Sequence, residues 1–156
     1  SKVATQVGYK LCGQPSGAPG SAVKAPLGTD PSIVARADAA CKRADFAEYA
    51  TAGRSGASLV QAGKSLTTLL PAVRRAQKEL QALRPPAKDK PAFDAFLAAF
   101  KHRGDLATQR AAAASRNDRN AFSRLNLEAL QASQAEQRPA TQLGFEICGR
   151  LGPNGV

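Results

Sequence analysis

Tryptophan and methionine are absent from this 156-residue chain, and histidine occurs once. A single imidazole, His102, flanked by Lys101 and Arg103, reads as a surface side chain. Zinc and transition-metal sites need more His or Cys ligands than can converge here, and a site built from Cys41, Cys148 and His102 is not expected. The same scarcity removes Ser-His-Asp and Cys-His catalysis, because no base is placed near a nucleophile. Carboxylates do recur at helical spacing, as Asp38 with Asp45 and Asp45 with Glu48. Such acids are commonly just solvated, and Lys42 and Arg43 beside Asp45 and Glu48 suggest local ion pairs. Neither Gly53-Arg54-Ser55-Gly56 nor the glycines between Gly13 and Gly20 end in the Gly-Lys-Ser/Thr of a phosphate loop. No enzyme activity, cofactor or metal is expected.

Long apolar runs are also missing. Nothing reaches the 18 or so residues needed to span a membrane. The opening SKVATQVGYK lacks the apolar run of a signal peptide, so a leader has been removed or the chain is an internal piece. Aromatics make up 5% of the chain, too few and too core-spaced to interleave with basic residues as a nucleic-acid surface would need; only Tyr9 and Tyr49 are free to stack.

Alanine and cationic residues are what the chain has in plenty. Ala favours helices but fills a core poorly, so closely approaching helices around a limited set of Leu, Val, Ile and Phe are expected. Lys and Arg total 22 against 12 acids, a formal charge of +10, which attracts polyanions such as nucleic acid, anionic lipid or wall polymers. Arg74, Arg75, Lys78, Lys101, Arg103, Arg116, Arg119 and Arg124 are the candidate contacts. They are spread along the chain, as on an ordinary solvated surface.

Punctuation divides the chain. Residues 14–30 are rich in Gly, Pro and Ser and read as a linker ahead of a helical domain over 31–150, with a short tail at 151–156. Asp30-Pro31 marks a helix start. A first helix is expected from there to about Thr51, with Val34, Ala37, Cys41 and Ala44 on one face and Gly53 and Gly56 ending it. A second covers Ser58 to Leu83, its Leu66, Leu69, Leu70, Val73, Ala76 and Leu80 recurring at three and four, and Pro71 is expected to kink it. Arg84-Pro85-Pro86 stops it. A third runs from Lys90 to Ser115 with Phe93, Phe96, Leu97 and Phe100 inward. After a turn and cap at Asn117-Asp118, a fourth extends from Arg119 towards Cys148, kinked at Pro139, with Phe122, Leu125, Leu130, Leu143 and Ile147 apolar. No segment alternates with a period of two, so no sheet is expected. The fold class is all-α, an up-down-up-down four-helix bundle.

In such a bundle the start of helix one and the end of helix four share one end, which would bring Cys41 and Cys148 within disulfide reach. The alternative is three buried thiols in a reducing compartment. The third cysteine, Cys12, lies in a repeat: Ala4-Thr5-Gln6-Val7-Gly8-Tyr9-Lys10-Leu11-Cys12-Gly13 aligns without a gap with Ala140-Thr141-Gln142-Leu143-Gly144-Phe145-Glu146-Ile147-Cys148-Gly149, identical at six of ten positions. Residues 1–13 then read as the tail of a preceding copy of the domain, with Cys12 an orphan half-disulfide. They read alternatively as a segment that docks head-to-tail on a neighbouring molecule, or as coincidence with Cys12 a free thiol.

Ala37-Asp38-Ala39-Ala40-Cys41, Leu70-Pro71, Leu83-Arg84-Pro85-Pro86 and Leu143-Gly144-Phe145-Glu146-Ile147-Cys148-Gly149 occur in an order that resembles small secreted proteins and lipoproteins of actinobacteria, mostly of unknown function. The resemblance spans Val34 to Gly149 and implies an exported helical domain with paired terminal cysteines, Cys41 and Cys148. It departs at the front: Tyr9-Lys10-Leu11 ahead of Cys12 is not the small-residue box of a lipid-anchored cysteine. The function these features favour is a non-enzymatic structural or interaction module of the cell envelope or exterior. Its partners would be further copies of itself or another envelope protein. The rivals are a polyanion-binding basic protein and a small-molecule binder that uses the bundle interior.

Overall fold

A computed structural model describes residues 28–52 and 58–149, the side chains of 45–52 excepted. The repeat segment 4–13, the linker up to residue 27, the Gly53–Gly56 stop, the Asp45 and Glu48 ion pairs and the tail from residue 150 lie outside the described residues. Four helices account for most of the rest: α1 (Pro31–Ala52), α2 (Leu59–Gln81), α3 (Lys90–Ser115) and α4 (Arg119–Gln142). No strand occurs among the described residues.

The helices start where short polar side chains supply acceptors for the first free N–H groups. Asp30 Oδ1 accepts from Ser32 N at 2.7 Å, and the bonds to Ser32 hold its carboxyl below the usual aspartate range. Ser58 and Gln61 form a reciprocal capping box at the head of α2. Asp118 accepts from Ala121 N at 2.9 Å, after Asn117 has turned the chain through a positive φ of 57°. Asp89, at the N-cap of α3, makes no capping bond, and the helix begins with Pro91 in its first turn. Pro71 is exposed and Pro139 buried, and α2 and α4 each run through their proline as one element.

Neighbours in sequence pack together, α1 on α2, α2 on α3 and α3 on α4. The largest core cluster gathers Cys41 with Ala37, Ala40 and Ala44 of α1, Ala76 and Leu80 of α2, and Phe93, Phe96 and Phe100 of α3, together with Leu143, Phe145 and Cys148 beyond α4. Leu130 departs from its expected place on the apolar face and is 49% exposed, and Leu127 beside it is 65% exposed.

Small residues set the spacing of α2 on α3. A Cβ added at Gly63 would lie 2.8 Å from Ala114 Cβ and 3.3 Å from Ser115 N. Gly63→Val is therefore expected to push the helices apart and to lower stability by about 1–3 kcal/mol, read as a lower urea midpoint with an unchanged m-value.

Candidate functional site

The fourth helix does not continue to Cys148. It ends at Gln142, with Leu143 as C-cap and Gly144 at φ 76°, a conformation that releases the chain from the helix. Residues 145–149 then fold back as a tight corner against α1. Phe145 enters the core edge-on to Phe96 (centroids 5.1 Å apart) and to Phe93 (6.4 Å). Cys148 is joined to Cys41 by a disulfide with a Cα–Cα distance of 5.3 Å, across 107 residues of sequence. Gly149 closes the corner at φ 78°, and a Cβ there would stand 2.9 Å from Gln137 Cα. Only glycine fits that approach.

Asp38, one helical turn before Cys41, anchors the corner from below. Its Oδ1 accepts from Ile147 N at 2.8 Å and Cys148 N at 3.2 Å, and its Oδ2 from Glu146 N at 3.0 Å. Three successive backbone N–H groups that no helix satisfies thus converge on one carboxylate. Asp38 is 8% exposed, whereas its spacing from Asp45 alone suggests one of several solvated acids. The signal that marks it is its face: Asp38 shares the apolar side of α1 with Val34, Ala37 and Cys41, where a charge demands a partner.

A second feature is a cleft of about 220 Å3 where all four helices meet, lined by Ala44, Leu69, Val73, Arg103, Arg110 and Asn126 among others. Arg103 is turned inward. Its Nε lies 3.1 Å from Oε2 of the fully buried Glu136, a contact ion pair, and its guanidinium stands 5.1 Å from the Phe100 ring centroid. Arg110 stacks over Phe122 at 5.7 Å. The cleft is smaller than the roughly 300 Å3 at which drug-sized pockets begin. Two grooves of 350 and 380 Å3 lie on the outer α2–α3 surface.

The cations named from sequence divide accordingly. Arg103 serves the buried pair, with a side chain 17% exposed. Arg74, Arg75 and Lys78 are exposed on α2, whereas Arg116 and Arg119 flank the α3–α4 turn at the other end of α3 from Asp89. Lys101 pairs with Asp105, and Arg124 with Glu128 at 3.8 Å. Across α1 and α2, Arg43 pairs with Glu79. His102 is exposed. Among the described residues no group of three or more His, Cys, Asp or Glu is placed to hold a metal, and no helix is long and apolar enough to cross a membrane.

No protein-family model, curated protein or solved structure matches the chain. The corner of residues 145–149 is a covalent and hydrogen-bonded closure onto α1.

Proposed function

We propose that this chain is a non-enzymatic structural or interaction module that works outside the cytoplasm, one of tandem or self-assembling copies. The observation that carries the reading is the Cys41–Cys148 closure, which is buried and braced by the Asp38 carboxylate. Such bonds persist in oxidising compartments and are rare where thioredoxin and glutathione keep thiols reduced. The bundle is arranged up-down-up-down with α2 and α4 bent at Pro71 and Pro139, which sets the head of α1 beside the foot of α4. The motif resemblance to exported actinobacterial domains supports the same placement. Partners are other copies of the module or another envelope protein.

Thiol trapping in the producing cells tests the compartment. With free thiols alkylated at the moment of lysis, Cys41 and Cys148 are expected to escape modification until a reductant is added. Full alkylation of both without reductant would place the protein in a reducing compartment and sink the reading.

A further inference from the structure

Most of the contacts that seat residues 145–149 on α1 do not pass through sulfur. We infer that Asp38 is a positioning residue for disulfide formation: its carboxylate holds the corner on α1 in the dithiol protein, so that Cys41 and Cys148 stand paired before any oxidant acts. This goes beyond the proposed compartment, because it concerns how the closure is made and is read on the purified chain.

Asp38 and Cys41 are three residues apart on α1 and so lie one above the other on the same side of the helix. A segment whose N–H groups bond Asp38 is thereby brought beside Cys41. The residue brought there is Cys148, whose own N–H bonds Asp38 Oδ1 at 3.2 Å, next to that of Ile147 at 2.8 Å. Glu146 N bonds the second oxygen at 3.0 Å, which fixes how the corner is turned about the first. A carboxylate suits the place because both of its oxygens accept, whereas an amide has one acceptor. Phe145 and Leu143 are buried in the same cluster as Cys41. The sulfur also has a place without the bond: Cys148 Sγ lies 3.4 Å from Ala37 O, to which a thiol there would donate. The seat is therefore complete in the dithiol form. Reduction still lowers the melting temperature, because the bond acts by restricting the unfolded chain.

Closure then proceeds by exchange with a small-molecule disulfide such as oxidised glutathione. One cysteine thiolate attacks a glutathione sulfur, which forms a mixed disulfide and releases one glutathione thiolate. The thiolate of the other cysteine displaces the second glutathione and forms the Cys41–Cys148 bond. The two electrons lost by the protein reduce the glutathione disulfide, and the two protons of its thiols end on the released glutathiones. Both cysteines are buried, so the first attack waits on a brief opening of the corner. The second is intramolecular and proceeds as Asp38 draws the corner back into place.

The test uses the full chain with Cys12→Ser, which leaves the pair as its only thiols. After reduction, alkylation of Cys148 by iodoacetamide is expected to be on the order of 100-fold slower than in urea. Asp38→Ala is expected to speed it roughly 100-fold, and Asp38→Asn roughly tenfold, because the amide oxygen keeps two of the three bonds. The amides of Phe96 and Phe100 should stay protected in all three proteins, which marks the change as local to the corner. Equal rates for the Asn and Ala variants would show that Asp38 acts through its charge on the thiol and would overturn the inference. Alkylation of the dithiol parent at its urea rate, with oxidised glutathione still restoring the bond, would overturn it too and leave the proposed compartment untouched. Failure of oxidised glutathione to restore any Cys41–Cys148 bond would instead remove the closure on which the proposed compartment rests. Should Asp38→Ala not fold once reduced, amide exchange in the dithiol parent decides. Protection is expected at Glu146, Ile147 and Cys148, and free exchange there would overturn the inference.

Discussion

Cutting the Cys41–Cys148 bond, by reduction or by Cys148→Ser, is expected to lower the melting temperature by roughly 20 °C, more than any other single change in the bundle's closure. The bond joins positions 107 apart in sequence, and chain-entropy reasoning gives a closure of that length about 5 kcal/mol through the freedom it removes from the unfolded chain. Burial adds to the effect: Cys41 is 0% and Cys148 4% exposed, so the serine hydroxyl would enter an apolar cluster. Calorimetry of the oxidised, reduced and substituted proteins checks this. A shift below roughly 5 °C would show that the bundle holds its corner without the bond.

Asp38→Ala is the second large effect, with an expected loss of about 3 kcal/mol. Three backbone N–H groups, those of Glu146, Ile147 and Cys148, would lose one shared charged acceptor in a part-buried corner. Asp38→Asn separates the contributions. An amide oxygen placed where Oδ1 stands keeps the bonds from Ile147 and Cys148, but the amide nitrogen then faces the Glu146 N–H donor to donor. Asn is therefore expected to cost about half as much as Ala. Because the disulfide still ties residue 148 to α1, both variants should keep the bond, with faster amide exchange at Glu146, Ile147 and Cys148 in Asp38→Ala and at Glu146 in Asp38→Asn. Equal stability of Asp38→Ala and the parent in urea titration would show that the three bonds contribute nothing net.

The helices themselves are legible in the sequence because their signals are local. Leu66, Leu69, Ala76 and Leu80 repeat at helical spacing, Phe93, Phe96 and Phe100 do the same, and Asp30 and Asp118 announce helix starts with their own side chains. The foot of α4 misleads for a physical reason. Leu143 and Ile147 keep the four-residue rhythm of a helix, yet Gly144 between them takes positive φ and breaks it. Apolar periodicity alone cannot distinguish a helix from a corner that buries the same residues. Asp38 and Glu136 are hidden differently: their partners lie more than 100 and 33 residues away, at Glu146–Cys148 and Arg103, so no local pattern carries them. The pairing of Cys41 with Cys148 is reached from the sequence through the expected bundle topology and the motif resemblance, and Cys41 stands midway along α1 rather than at its start.

Everything proposed for this chain hangs on that corner, and a tryptic map of the native protein without reduction probes it directly. The peptide Ala37–Lys42, which holds Cys41, is expected to travel covalently joined to the peptide that holds Cys148, and to separate from it on reduction. Cys12 should appear in neither. A Cys12 peptide bonded to Cys41 or Cys148 of the same chain, or all three cysteines recovered as thiols, would contradict the closure on which the proposed compartment depends.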